Sequence, residues 1–239
     1  MEVSRARGSD SRARLSLKKK NLMRGVSILA TVVAGALLCS CRFIPTADVP
    51  ALAAGPSQAK AAFDPDKMVA SDWAGKVIPY FEKKAGPFAE VRDLAAKSPE
   101  EAGARFGYRP KSGEVPWTLM VKLEGIVVEA NTESRAATIG VDTTGKGKAD
   151  ATVQIGPALR GTTIRDALDF VSFNDFTNQI DFARYGKAFN LYVDHELLKK
   201  LPRDALIGRK VTVTGAYSLS SPGETPLVTP VEITLGPKP

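Results

Sequence analysis

Along this chain the spacing of hydrophobic residues changes near residue 110. Before it, Met68, Val69, Trp73, Val77, Tyr80 and Phe81 recur at helical intervals, with Asp64 placed to cap the helix and Pro65 at its first position. Gly86-Pro87 interrupts that helix near Lys84, and FAEVRDLAAK (88–97) predicts a second. A third opens at Ser98-Pro99 and stops at Gly107. Residues 63–110 are therefore expected to form an N-terminal helical segment.

Past the turn-rich YRPKSGEVP (108–116) the period becomes two. WTLMVKLEGIVVEA (117–130) predicts a long strand with a bulge or bend at Gly125, and residues 135–142 and 149–156 predict a hairpin. Val211, Val213 and Tyr217 alternate with Thr212, Thr214 and Ala216 in a fourth strand. Leu227, Val231, Ile233 and Leu235 mark a fifth, where Pro230 favours a sheet edge. Residues 157–200, polar and helical, fall between strands three and four. This order predicts an α+β fold: a five-stranded OB-like Greek-key barrel over residues 111–239, with a helical insertion at 157–200 and the helical segment in front of it. An unrelated α+β sheet would show the same element order.

The first residues follow neither pattern. A basic stretch leads into GVSILATVVAGALLCSC (25–41), an apolar run shorter than the about 20 residues that a membrane-crossing helix needs and suited to a secretory signal. Its end, Leu38-Cys39-Ser40-Cys41, matches a lipobox with Cys41 as the acylated residue; Cys39 follows Leu38 where a small residue is required. Residues 1–40 thus read as a lipoprotein signal peptide, with 1–22 an extension ahead of a start at Met23. Residues 41–62, rich in Ala and Pro, read as a tether. An uncleaved N-terminal anchor is the alternative. The expected partner is the lipid bilayer, reached through palmitate or a similar acyl chain on Cys41. Arg42, in place of the aspartate that retains lipoproteins on an inner membrane, directs the chain to the outer membrane of a two-membrane host.

Charge changes its meaning once the signal is set aside. Of the net +7, residues 1–40 hold +6, from eight Arg and Lys against Glu2 and Asp10. The remainder is nearly neutral, which excludes nucleic acid as a partner for the barrel. A single histidine, His195, removes histidine-cluster catalysis, and Cys41 as the sole mature cysteine removes zinc and thiol chemistry, so no metal and no cofactor is expected. No G-x-S-x-G occurs. The loop from Asp142 to Asp150 has the outline of a calcium loop, but Thr144, Lys146 and Val153 stand where carboxylates are needed, and a glycine-bearing hairpin turn fits better. Asp166 with Asp169, and Asp175 with Asp181, could in principle perform acid/base work; carboxylates are mostly solvated surface groups.

What is left for function lies in the insertion. Arg160 and Arg165 could hold an anion through their planar guanidinium groups. In FNDFTNQIDFARYGKAF (173–189), Asn174 or Asp175 is expected to cap a helix apolar on two sides. One stripe is Phe176, Ile180 and Ala183, and the other is Phe182, Tyr185 and Phe189. Its polar end, Asn174, Asn178 and Gln179, together with Arg160 and Arg165, is the expected ligand site.

The lipobox at Cys41, SDWAGKVIPYFEKKA, VKLEGIVVEANTESRAATIGVD, VQIGPALRGTTIRDALDFVSFNDFTNQIDFA and LIGRKVTVTGAYSL together resemble a bacterial family of predicted periplasmic lipoproteins of unknown function. The resemblance spans residues 41–236 and is most distinctive from Gly156 to Ala183. It implies an OB-like barrel and a genetic neighbourhood of sugar-type ABC transporters, and it assigns no catalytic residue. The combined reading is a membrane-anchored periplasmic lipoprotein, non-catalytic, that binds or assists in solute (carbohydrate) uptake, with a sugar-type ABC transporter or its binding protein as the expected protein partner. A docking lipoprotein and a carboxylate-dependent envelope hydrolase are the alternatives.

Overall fold

The Asp64 side chain accepts a hydrogen bond from the Lys67 amide at 3.2 Å and so opens α1 (Pro65–Asp72), as its position before Pro65 predicts. In the computed structural model, residues 63–111, 115–219 and 224–238 are described; the expectations for residues 1–62, Cys41 among them, lie outside these. α1 runs through a π-helical turn (Trp73–Val77) into α2 (Ile78–Lys84). The wide turn falls just before Pro79, which has no amide hydrogen for the carbonyl four residues back. Two-residue β1 (Gly86–Pro87), α3 (Phe88–Lys97), α4 (Pro99–Phe106) and two-residue β2 (Gly107–Tyr108) follow.

Within the barrel β3 (Thr118–Asn131) serves two partners, and outside it the two-residue β1 and β2 pair with its first half. From Thr118 to Ile126 it pairs antiparallel with β6 (Lys210–Ser218), and from Ile126 onward with β4 (Thr138–Asp142). β4 pairs with β5 (Ala151–Gln154), β5 runs parallel to β7 (Leu227–Leu235), and β7 returns antiparallel to β6. The ring closes as β3-β4-β5-β7-β6, so the fold is α+β with an OB-like five-stranded barrel. Between β5 and β6 lie α5 (Thr163–Ala167), a 3₁₀ turn (Phe173–Asp175) and α6 (Gln179–Glu196).

Strict alternation fails at the start of β3 because both of its faces are covered. Leu119, Val121 and Leu123 point into the barrel with Ile139, Val153, Val211 and Val213, where Phe88, Val91 and Ala102 of α3 and α4 join them. Met120 points outward into a second core with Ala216 and Val231 of the barrel wall, Trp73, Val77 and Phe81 of the N-terminal helices, and Tyr185, Phe189 and Val193 of α6. Trp73 contacts Tyr192 and Phe189 with ring centroids 4.5 and 6.3 Å apart.

Four local expectations need correction. Gly125 is no bulge: its pairing with Val211 is regular, and the register shift falls at Val127/Glu129. A Cβ there would come within 2.4 Å of the Asp142 carbonyl, so this glycine lets β3 pass close to β4. Pro230 is not at a sheet edge but in the strand that closes the barrel. It faces Gly215 at a register shift, beyond the two residues that pair with β5, where its missing N–H leaves no gap in the ladder. Asn174 and Asp175 do not cap α6. They belong to the 3₁₀ turn, which Ser172 and Asp175 cap reciprocally, whereas the Asn178 side chain accepts from the Asp181 amide at 2.9 Å and starts the helix. Ile180, 71 % exposed, and Ala183 form no packing stripe, because α6 packs against α1 and α5 and turns only its Tyr185, Phe189 and Val193 side into the core shared with the barrel wall.

Candidate functional site

Asp142, at the end of β4, is buried, and its carboxylate accepts hydrogen bonds from the amides of Thr144, Gly145 and Gly147 and from the Thr144 hydroxyl. Burial alone would raise its pKa; the hydrogen bonds outweigh that and hold it at about 2. Gly145 and Gly147 have φ of 75° and 74°, a conformation that costs glycine least. The oxygens that would bind calcium are thus turned onto the loop's own amides. Lys146 and Lys148, between and beyond these glycines, reach a neighbouring cleft of about 890 Å³.

The opposite wall is set by Gln154. Buried at the end of β5, it accepts from the Arg160 amide at 2.7 Å, donates to the Arg160 carbonyl at 3.3 Å, and donates to Thr229 of β7 at 2.7 Å. Asn190 of α6 donates to the Gly161 carbonyl at 2.8 Å. Barrel and helix together therefore hold residues 160–161 at the rim, and Arg160 lines the cleft with Lys146 and Lys148. Among the described residues these three cations have no salt-bridge partner.

Tyr217 of β6 lies under the cleft, 3 % exposed, and its hydroxyl has no hydrogen-bond partner among the described residues. Burial pushes its pKa up to about 12, with the nearby Arg92 guanidinium pulling the other way, so the phenol stays protonated. Arg92 is engaged by Asp150, which also accepts from the Thr143 amide and hydroxyl, and by Asp93. Thr163, Ser218 and Thr225 add hydroxyls, and Leu219, Pro226 and Leu227 add apolar surface.

The expected site residues are dispersed. Arg160 alone among them lines this cleft. Arg165 is an internal clamp: it donates to Asp166, Thr162 and the Phe182 carbonyl, with its guanidinium 3.8 Å from the Phe182 ring centroid. Asn178 caps α6, Asn174 is exposed in the 3₁₀ turn, and Gln179 lines a shallow depression on the outer face of α6 with Ile180, Ala183, Arg184 and Lys187. The carboxylates of Asp175 and Asp181 are engaged locally, with Ser172 and with Asn178 and Arg184. Lys146, Lys148, Gln154 and Tyr217 were missed. The Gly-Lys-Gly-Lys alternation of the loop was the available signal, and a comparison with calcium loops obscures it.

Among the described residues no set of three metal-ligating side chains comes together, and no helix is long and apolar enough to cross a membrane. The family model described as "Predicted periplasmic lipoprotein (DUF2291)" matches residues 31–234. The chain belongs to this family. It is therefore one of a group of exported, lipid-anchored proteins of the periplasm. A crystal structure of an OB-fold protein from Thermotoga maritima MSB8 is similar to it, with a TM-score of 0.58 at 20 % identity, covering 72 % of this chain and 98 % of the other. At that identity the likeness establishes the fold alone. No curated protein matches the chain.

Proposed function

We propose that this lipoprotein is a non-catalytic solute-binding module, held at the membrane through Cys41 and a tether over residues 41–62, and that it serves carbohydrate uptake. The cleft between the β4–β5 loop, the 160–161 rim, the end of β6 (Ser218, Leu219) and the residues leading into β7 (Glu224–Pro226) is its binding site. The observation that carries this reading is a cleft of about 890 Å³, a volume that suits a small ligand, with Tyr217 at its base and Arg160, Lys146 and Lys148 on its walls. Hydroxyls of Thr163, Ser218 and Thr225 beside apolar Leu219 and Pro226 favour a hydroxylated ligand over an apolar one. OB barrels commonly bind through the third strand and the loop joining the last two, and both contribute here. Arg42 supports the outer membrane as the site of anchoring.

The test is ligand-induced stabilisation of the lipidated chain across a panel of sugars. A ligand present at a hundred times its Kd raises stability by about 2.7 kcal/mol, a clear rise in Tm. Tyr217→Phe, which keeps the buried ring, is expected to weaken that rise. The absence of a shift with every sugar would overturn the reading.

The second reading is docking on a sugar-type ABC transporter or its binding protein. It is favoured by the outward-facing Ile180, 71 % exposed on α6 beside exposed Ala183. Recovery of a transporter component by wild type, and its loss in Ile180→Asp with sugar binding intact, would select it.

A further inference from the structure

Resting on the binding reading above, the side chains of the cleft say more about its occupant. Seven charged groups line it, and they are unequal. Arg92 is held by Asp93 and Asp150, and Asp150 is further engaged by Thr143, so these three largely satisfy one another. What faces an incoming ligand is Lys146, Lys148 and Arg160 against Glu224. The cations are presented by rigid backbone. Lys146 sits between two left-handed glycines in a loop whose amides converge on buried Asp142, and Arg160 is fixed through its own amide and carbonyl by buried Gln154. Tyr217, 3 % exposed as a residue, adds a hydroxyl that is protonated at neutral pH and has no hydrogen-bond partner among the described residues. A cleft made for neutral polyols alone has no need of three cations that lack carboxylate partners among the described residues, since desolvating them on binding is unfavourable unless an anion replaces the water.

We propose that the cleft recognises a small hydroxylated acid: Arg160, Lys146 and Lys148 hold its carboxylate or phosphate group, and the Tyr217 hydroxyl takes a neighbouring oxygen. A guanidinium suits the planar bidentate geometry of either oxyanion, and lysine supplies point charge.

The experiment is calorimetric titration of the lipidated full chain in detergent with glucose, glucuronate and glucose 6-phosphate, at low and high salt. At least one acid is expected to bind about tenfold or more tightly than glucose, because a charge-assisted contact is added, and to weaken as salt rises. Preference between the acids assigns the group as carboxylate or phosphate. Arg160→Gln and the double variant Lys146→Gln/Lys148→Gln are each expected to weaken acid binding about tenfold more than glucose binding, with Tm unchanged. Glucose binding as tightly as both acids, with no effect of Arg160→Gln, would overturn the acidic ligand and leave the binding module standing. No binding of any of the three would overturn this inference, and the wider sugar panel would then decide the binding reading separately.

Discussion

Asp142 shows how one side chain can organise a site that it does not enter. Its carboxylate gathers three amides and a hydroxyl of the loop, and its pKa is held at about 2 against an ordinary 3.8. A group whose folded pKa is depressed contributes stability that is fully present above its unfolded pKa and is lost as pH falls toward the folded value. Thermal melts are therefore expected to show a destabilising component between about pH 4 and pH 2 that Asp142→Asn lacks. The same substitution is expected to loosen Lys146 and so weaken acid binding. Two arginines five residues apart divide in the same way. Arg165, whose side chain is 12 % exposed, holds Thr162, Asp166 and the Phe182 carbonyl. Its replacement by Ala should cost about 2–3 kcal/mol in denaturant unfolding, because charge-assisted bonds are lost and an acceptor is stranded. Arg160→Ala should change stability by no more than about 0.5 kcal/mol, as expected for an exposed side chain.

At the scale of elements, α6 joins the two halves of the molecule. Its inner face puts Tyr185, Phe189 and Val193 into the core shared with α1, the π-helical turn and the outer wall of the barrel, and Asn190 reaches the cleft rim. Its outer face leaves Ile180 in solvent. Phe189→Ala should therefore destabilise by about 3–5 kcal/mol, as a large ring removed from a packed core does. Ile180→Ser should fall within about 0.5 kcal/mol. Equilibrium unfolding in urea distinguishes them, and equal losses would contradict this orientation of the helix.

For the whole molecule, the described residues hold no helix able to cross a membrane, and membership of a lipoprotein family makes an acyl anchor the means of attachment. Labelled palmitate is expected to enter the wild-type chain and to be absent from Cys41→Ser. Label retained in that variant would move the anchor elsewhere. A protein tethered in this way works at a membrane surface, where its effective concentration toward any other component of that surface is raised.

The sequence by itself determined the elements and their order. The change from a helical to a two-residue hydrophobic period at residue 110 is a local property of the chain, as are the Asp64-Pro65 helix start and the five strands with a helical insertion after the third. Only the tertiary structure decided which polar groups remain free. Arg160 and Arg165, alike in sequence, part because one emerges at the end of β5 and the other lies beneath α6. Tyr217 has the pattern of a core residue and becomes a candidate ligand contact because β6 ends beneath the cleft. Lys146 and Lys148 gain meaning when Asp142 folds the loop toward a rim some twelve residues further along the chain. Periodicity reports which face of an element is buried; which neighbours satisfy a polar group depends on contacts far apart in the chain, and those form when the barrel closes.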